Sequence, residues 1–349
     1  MNKTKWRNMG QVISCQLSVI RYFYKTGALI LLLFLLCGSF ISSSAQVAPL
    51  SDQYLLNPFQ VNPAIAGTER YMPLNINTRQ QWIGLNRAPS TQSISIHRRI
   101  RAKDIRFTPT GFINKGKNSF GRIGIGGGVF NYNYGAVSHT GVHLDYAYHV
   151  FVGNGRLAFG LAPVFFQYSL NKSGFTLPDG NNIDPLISND PSESLLFLDV
   201  NAGMHYYDDV SYAGFSIIQL LNSTVQFGDL SFESLDQMSM NSDLARSMYA
   251  YYGRYITFNK DFSLEPSVWL KYNLQSGFRA DANAIFHLQD TFQAGISYRL
   301  QESLGMLVGV KLDNLEIRYV FEVPVSAQVP NRYTSHQVMI RFNLGEPID

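Results

Sequence analysis

The sequence predicts an all-β fold: a transmembrane β-barrel of the outer-membrane type, with about 14 antiparallel strands and an N-terminal periplasmic or lumenal hatch segment. Three observations support this fold class. Apolar and polar residues alternate in many runs of about eight to twelve residues. Tight turns and long connections join these runs alternately, and an export leader precedes them.

The first 45 residues have the features of a secretory signal peptide, with cleavage expected near Ala45. Five basic residues precede an apolar run from Ala28 to Leu36, and a cluster of small residues follows. The apolar run is too short to span a bilayer as a helix. A lipoprotein signal through Cys37 is a poorer interpretation, because Leu36 stands where a small residue is expected.

The mature chain has few charges and no cysteine. Cys15 and Cys37 both lie in the leader, so a disulfide framework and thiolate chemistry are excluded. The leader also holds five of the 28 basic residues and no acidic one, which leaves 23 basic against 25 acidic residues. This balance removes the main electrostatic support for nucleic-acid binding, and we expect none.

The alternation defines the strands. In the run 291–300, Phe292, Ala294 and Ile296 share one face, and Gln293 and Arg299 lie on the other. Such a period of two predicts strands with one apolar and one polar face. The barrel domain is predicted at 73–344, ahead of a periplasmic tail at 345–349. Its predicted strands cover 73–82, 90–99, 122–132, 137–151, 156–170, 195–206, 211–221, 247–257, 263–274, 277–288, 291–300, 303–312, 315–324 and 335–344.

The connections predict the orientation of the barrel. Tight turns follow the fourth, sixth, eighth, tenth and twelfth strands, whereas long connections near 171–194, 222–246 and 325–334 follow odd-numbered strands. Short turns on one rim and long loops on the other are typical of outer-membrane barrels with both termini in the periplasm. The connection at 100–121 departs from this pattern, because it is long where a short turn is expected.

A soluble β-sandwich is the alternative fold, since its strands also alternate. The even strand count, the strand lengths and the loop asymmetry favour the barrel. Trp82, Tyr206 and Tyr298 lie near strand ends, as residues of an interfacial aromatic girdle do. We therefore expect contact with outer-membrane lipid.

The segment 46–72 is predicted to be an ordered, irregular hatch. Its core reads NPFQVNPAIAGTER, in which Pro58 and Pro63 lack the amide hydrogen and exclude both a helix interior and a central strand. A barrel of fourteen strands has a lumen that its own side chains do not fill. An apolar, turn-rich segment ahead of the first strand would lie inside or below the periplasmic mouth.

Several short motifs resemble the PorP/SprF family in their order and spacing along nearly the whole mature chain. They are Tyr54-x-x-Asn57-Pro58, Asn62-Pro63-Ala64-x-x-Gly67, Arg79-x-Gln81-Trp82-x-Gly84, Ala88-Pro89-x-Thr91-Gln92, Asp145-Tyr146-Ala147-Tyr148 and Ser335-His336-Gln337-Val338-Met339.

This resemblance implies a non-enzymatic outer-membrane component of the type IX secretion system of Bacteroidetes-type bacteria. Such proteins are linked to export of large surface proteins, including gliding adhesins, and to a class of C-terminal sorting domain. The implied partners are a secreted substrate with that domain and other secretion components. The family carries no agreed catalytic residues, and no cofactor is expected. The candidate hatch or partner contacts are Tyr54, Asn57, Pro58, Asn62, Pro63, Gly67, Arg79, Gln81 and Trp82.

The fourth strand invites a metal interpretation, because His139, His143, Asp145 and His149 share one face. Residues two apart on a strand face lie roughly 6.5–7 Å apart, so only His143 and Asp145 could share an ion, with help from a neighbouring strand. A polar, lumen-facing wall accounts for all four positions without a ligand.

Enzymatic alternatives find less support. Ser, His and Asp are present, but no serine lies in a recognisable strained turn, and a triad is defined by geometry that sequence does not give. The glycines of GRIGIGGGVF alternate with apolar residues and precede no helix, so a phosphate loop is disfavoured. Glycine at these positions lets a strand bend or lets the hatch backbone approach the wall.

Arg79 and Gln81 are predicted to face the lumen, with Trp82 towards lipid. A polar wall and an interface anchor would explain this pattern. We further expect Arg79 and Gln81 to hydrogen-bond hatch carbonyls left unpaired by the prolines, since such groups need partners away from water.

Two other functions compete with a secretion component. One is a fatty-acid-transporter-like or porin-like channel, since Asn62-Pro63-Ala64 ahead of the first strand also resembles fatty-acid transporter barrels. The other is a structural or adhesive barrel that displays its long loops. The loop 171–194 has four acidic residues against one lysine, which does not build a paired constriction, and the inward faces of several later strands carry charges that disfavour an apolar path.

Overall fold

The computed structural model describes residues 54–100, 122–171, 192–221, 224–225, 242–243, 246–273, 276–326 and 333–347. The predicted signal peptide, most of the connection at 100–121 and most of the predicted outer loops lie outside these residues. Within the described part of the chain, no α-helix is long and apolar enough to cross a membrane.

Fourteen long antiparallel strands form the wall, and three short strands accompany them. The long strands are β1 (Met72–Gln80), β2 (Ser90–Arg99), β3 (Ile123–Tyr134), β4 (Val137–Val152), β5 (Gly155–Asn171), β6 (Ser192–Tyr207), β7 (Ser211–Ile218), β10 (Ser247–Arg254), β12 (Phe262–Asn273), β13 (Gly277–Leu288), β14 (Phe292–Arg299), β15 (Ser303–Leu312), β16 (Leu315–Pro324) and β17 (Ser335–Leu344). The short strands are β8 (Thr224–Val225), β9 (Ser242–Asp243) and β11 (Ile256–Thr257).

The ring is closed. Each long strand pairs with its neighbours in the chain, and β1 pairs with β17 in a register that runs from Met72 opposite Leu344 to Gln80 opposite His336. β8 and β9 form a separate two-stranded ladder, and β11 adds a short pairing to β12. The structure thus confirms the predicted closed 14-strand antiparallel barrel.

Burial alternates along the strands as the sequence predicts. On β15, Leu304, Met306 and Val308 are exposed on the outer face, while the intervening Leu307 is buried. On β1, Asn75 and Asn77 are buried on the inner face. An apolar outer face and a polar inner face suit a wall that has lipid outside and a filled interior.

The two rims differ. The turn rim carries the start of β1, the end of β17 and the connections 153–154, 208–210, 289–291 and 313–314. Among the described residues, the opposite loop rim carries 81–89, 135–136, 300–302, 325–326 and 333–334. The loop rim therefore has short connections as well as long ones, which the predicted asymmetry did not include.

Some strand boundaries differ from the prediction, most clearly at β1 and β7. β1 begins at Met72 and ends at Gln80 rather than at Trp82, because Trp82 has a φ of 49° that leaves the extended region. β7 ends at Ile218 rather than at residue 221, because Gln219 has a φ of 61° and turns the chain away from the ladder.

Candidate functional site

The strongest candidate site is the inner segment, which we define as Tyr54–Thr68, the described part of the sequence-predicted hatch that precedes Glu69. It packs against inward side chains of the wall. Leu56 and Asn62 have no solvent exposure, and Phe59 is 2% exposed. Such burial of a proline-broken stretch requires that its polar groups find partners within the barrel.

Two short 3₁₀ turns give the segment its shape. They cover Pro58–Gln60 and Pro63–Ile65, and each begins with an Asn-Pro pair. Proline suits the first helical position, where no amide partner is needed. The side chain of Asn62 accepts a hydrogen bond of 2.9 Å from the Ala64 amide, which caps the second turn.

An aromatic stack holds the beginning of the segment. The ring of Tyr54 stacks on Trp269 with centroids 4.3 Å apart, and Trp269 stacks on Tyr251 at 4.1 Å. Trp269 is an inward residue of β12, opposite Tyr251 of β10. The three rings form a continuous apolar contact from the wall into the lumen.

Asn62 is the polar centre of the site. Its side-chain amide nitrogen donates to the Tyr251 hydroxyl at 2.9 Å and to the Met204 carbonyl at 3.0 Å. The Tyr251 hydroxyl lies 2.9 Å from Nδ1 of His205 and can donate to it. Ser216 donates to the Val61 carbonyl at 2.6 Å, so β6, β7 and β10 all hold this turn.

The first turn contacts the opposite sector of the wall. The Asn57 amide donates to Oγ of Ser95 at 2.9 Å. The ring of Phe59 lies 4.6 Å from the ring of His97 and 5.6 Å from that of His143, measured between centroids. The segment therefore joins β2 and β4 to β10 and β12 across the interior.

Arg99 secures the end of the segment at the turn rim. Its guanidinium donates to the carbonyls of Gly67 at 2.8 Å and Thr68 at 3.2 Å, and to the Tyr207 hydroxyl at 2.8 Å. His149 Nε2 donates to the Ala66 carbonyl at 2.9 Å, which leaves Nδ1 to accept from Tyr207 at 3.2 Å. These bonds satisfy three consecutive backbone carbonyls.

Glycines of the wall allow the backbone of the segment to approach closely. A Cβ added to Gly124 of β3 would overlap the Ala66 carbonyl, and one added to Gly160 of β5 would overlap Ala64. Gly67 itself has a φ of 76°, which disfavours any other residue. The GRIGIGGGVF glycines thus include one that receives the segment backbone, as the sequence analysis suggested for a hatch.

Leu56 completes an apolar layer on the other side of the lumen. It is fully buried among the inward side chains of Ile285, Leu307, Val320 and Met339. These four residues come from β13, β15, β16 and β17. The interior therefore has apolar contact around the segment on both sides.

Ion pairs line the wall on either side of this apolar layer. Arg79 contacts Glu322 at 2.7 Å, and both side chains are less than 10% exposed. Closer to the turn rim, Arg318 and Arg341 approach Glu316 at 2.6 and 3.5 Å. Buried charges in a barrel interior need such partners.

Among the described residues, Arg99 is the arginine that donates to carbonyls of the inner segment, and the bonds from Arg79 and Gln81 to hatch carbonyls remain a prediction. Among the described residues, Arg79 donates to Glu322 and Gln337 near the loop rim, whereas the carbonyls of the segment lie at the turn rim beside Arg99. Gln81 follows the end of β1, and its backbone amide donates to the Pro89 carbonyl. Trp82 lies in the same loop, with its amide bonded to Oγ of Ser335 at 3.2 Å.

The four polar residues of β4 are buried on its inward face but do not form a cluster. His143 and Asp145 contact each other at 2.5 Å, His139 packs against the ring of Phe166, and His149 belongs to the segment network. In the part of the chain that the structure describes, no group of three or more His, Cys, Asp or Glu side chains is placed to hold a metal ion.

The structure places Tyr54, Asn57, Pro58, Asn62, Pro63 and Gly67 together in the inner segment. The sequence analysis missed their wall partners Arg99, Tyr251, Trp269 and Ser216. Trp269 is an aromatic residue on the otherwise polar face of its strand, and that exception is the one local signal that points to an interior contact.

Comparison with known proteins gives similar barrels at low identity. A FadL homologue of Pseudomonas aeruginosa is 11% identical, with a TM-score of 0.42 over 87% of this chain and 96% of its own. The P. putida toluene transporter TodX is 11% identical, with a TM-score of 0.41 over 87% of this chain and 96% of its own. A KdgM porin is 9% identical, with a TM-score of 0.34 over 78% of this chain and 99% of its own. No curated protein sequence matches this chain.

A family model identifies the chain where these structures do not. The model describes the type IX secretion system membrane protein PorP/SprF, and it matches residues 43–342, which include the inner segment and nearly the whole wall. The chain therefore belongs to the PorP/SprF family of type IX secretion system membrane proteins.

Proposed function

We propose that this protein is a non-enzymatic outer-membrane component of the type IX secretion system that supports export of specific large proteins by binding. It is exported with a signal peptide cleaved near Ala45. It binds the C-terminal sorting domain of its substrates, including gliding adhesins, or other parts of the apparatus, and the inner segment serves as a hatch within the barrel.

The observation that carries this proposal is the burial of the inner segment. Asn62, Ala64 and Ala66 have no solvent exposure, and partners from β2, β4, β6, β7, β10 and β12 surround the segment. A barrel occupied in this way is suited to binding at its rims rather than to free diffusion of solutes. The ion pairs of the inner wall also disfavour an apolar path for fatty acids.

The test is a quantitative comparison of secreted and surface proteins from strains with and without this gene. We expect depletion of one or a few large proteins that share a C-terminal sorting domain, while the bulk profile stays constant. That domain, fused to a reporter, should make export of the reporter depend on this protein.

The same strains separate the alternatives. An unchanged protein profile together with slower uptake of a small solute would refute the proposal in favour of a channel. Loss of every secreted protein would also count against it, because the proposed role is specific to a subset of substrates. Re-expression of the wild-type chain is the control for effects on neighbouring genes.

A further inference from the structure

The outer face of β1 and β2 has an unusually narrow apolar belt. On β2 only Ile94 and Ile96 lie between the outward Gln92 and Arg98, and Gln92 is exposed. Gln92 and Arg98 are six positions apart, which on a tilted strand corresponds to roughly 15 Å of membrane height. The apolar band of such barrels is roughly 25 Å tall. On β15, by contrast, five apolar residues follow one another on the outer face: Leu304, Met306, Val308, Val310 and Leu312.

β1 shows the same deficit. Its outward residues Thr78 and Gln80 are exposed above Ile76, and Thr78 stands opposite Gln92 in the ladder. Polar side chains at this height are unfavourable next to lipid. A bilayer alone therefore fits the outer face of β1 and β2 worse than it fits that of β15.

The loop that joins β1 to β2 exposes apolar side chains where polar ones are expected. Residues 81–89 stand at the loop rim, beyond the end of the strands, where water is expected, yet Ile83 is 46% and Leu85 43% exposed. The loop is held in place by backbone bonds from Ile83 to Thr334 at 2.8 Å and from Gly135 to Arg87 at 3.3 Å. Arg87 has a φ of 55°, a conformation that persists in non-glycine residues only when neighbours impose it.

Charge adds a third observation. Residues 71–99 include no acidic residue, and of their four arginines Arg79 and Arg99 face inward. Arg87 is exposed in the loop, and Arg98 lies on the outer face near the turn rim. A partner that covers this sector would therefore present an acidic group at the height of Arg87.

We propose that the outer face of β1 and β2, together with loop 81–89, is a docking surface for a second outer-membrane protein that lies beside this barrel in the bilayer. The partner offers hydrogen-bonding side chains at the height of Thr78 and Gln92, an apolar recess for Ile83 and Leu85, and a carboxylate for Arg87. This inference rests on the proposed function, since it places that partner within the secretion apparatus.

The test is site-specific photo-crosslinking of the full-length protein in intact cells. A benzophenone amino acid replaces Thr78, Gln92 or Leu85, and the matched controls replace Met306 or Val308 on β15. We expect positions 78, 92 and 85 to give adducts with the same integral outer-membrane protein, identified by mass spectrometry, and the β15 positions to give none. Arg87→Glu should lower the adduct yield at position 92 at least tenfold while the folded barrel keeps its heat-modifiable migration.

Other results would overturn the proposal. These are adducts with lipid alone, adducts with a second copy of this chain, adducts with a soluble protein, or equal adducts on β15. If Arg87→Glu prevents folding, Gln92→Leu, read by the probe at position 78, takes its place, since it widens the apolar belt and should lower the yield in the same direction.

The secretion profile of the same cells separates this inference from the proposed function. Adducts at all three positions, in cells whose secreted proteins do not depend on this gene, would refute the proposed function and retain the docking surface. Absent adducts in cells that do depend on the gene would refute the docking surface alone.

Discussion

The guanidinium of Arg99 donates a hydrogen bond of 2.8 Å to the carbonyl oxygen of Gly67. This contact joins the last strand residue of β2 to the point where the inner segment leaves the lumen for the turn rim. The Arg99 side chain also reaches Thr68 and Tyr207, so one buried cation connects the segment to two sectors of the wall.

Arg99→Met should loosen the inner segment without unfolding the barrel. Hydrogen bonds to a charged group contribute about 2 kcal/mol, which corresponds to a roughly thirty-fold rise in the population of the released segment. Residues 46–349 contain no cysteine, so Val61→Cys, at a position 1% exposed, provides the single thiol reporter of that part of the chain. The measurement is the rate at which maleimide labels this introduced thiol. Arg98→Met, on the outer face, is the control and should leave the rate unchanged.

Gly124→Ala should displace the segment more strongly than any loss of a hydrogen bond. The added methyl group overlaps the Ala66 carbonyl, which is backbone and has little freedom to move. Gly309→Ala is the matched control, since its methyl group meets only side-chain atoms at 3.1 Å. With the same thiol reporter introduced by Val61→Cys, we expect fast maleimide labelling in Gly124→Ala and slow labelling in Gly309→Ala. Equal rates would show that the close approach at β3 does not hold the segment.

Asn62→Ala should destabilise the segment by about 2 kcal/mol, because it removes a cap and two hydrogen bonds to β6 and β10. Asn57→Ala removes one side-chain bond to Ser95 and should cost about 1 kcal/mol. Hydrogen exchange of the Ala64 amide, followed by mass spectrometry, compares the two. A larger effect at Asn57 would contradict the central role assigned to Asn62.

Arg79→Met should lower the stability of the barrel by about 3–5 kcal/mol, because it leaves the buried Glu322 carboxylate without its closest cation. The pair Arg279–Glu302, whose side chains are 14% and 35% exposed, is the control, and Arg279→Met should cost less than Arg79→Met because water reaches its glutamate. Urea-induced unfolding in detergent micelles measures both. Comparable losses would mean that the wall pairs are screened by water.

The turn 208–210 should loosen in acid. Backbone amides of Val210 and Ser211 donate to the Asp208 carboxylate and hold its pKa below the ordinary value of 3.8. Because the folded-state pKa is depressed, the stabilisation is present at pH values above 3.8 and is lost as the pH falls through the lower folded value. The measurement is the protection of the Val210 amide, which is its exchange rate relative to an unstructured chain at the same pH, between about pH 2 and pH 6. Asp208→Asn should abolish the pH dependence of this protection.

The wall of the barrel was predictable because its signal is local. The alternation of apolar and polar residues assigns each strand within a few positions, and the register follows from the buried face. The ends of β1 and β7 were not predictable in this way, because Trp82 and Gln219 adopt positive φ values for reasons that lie in neighbouring loops.

The sequence predicts an ordered, irregular stretch around Pro58 and Pro63, but it does not predict the wall residues that contact this stretch. Arg79 and Arg99 both face inward in the alternation, and only the three-dimensional height of Arg99 in the wall places it beside the Gly67 carbonyl. That height depends on strand tilt and register around the whole ring. The same limit hid Tyr251 and Trp269, which are distant from Asn62 and Tyr54 in the chain and meet them only in the closed barrel.

The bond between Asn62 and Tyr251 spans 189 residues of the chain, although the inner segment is made before every strand. Contacts between such distant residues form late in folding, since the intervening loop entropy must be overcome first. The segment therefore stays undocked until most of the wall exists, and it needs an opening through which to enter. We expect the pairing of β1 with β17 to be the last step of wall closure. β1 follows the inner segment closely in the chain, so this seam forms next to it. We expect assembly of this protein to proceed from a curved, open sheet that wraps around its own amino-terminal residues and then closes.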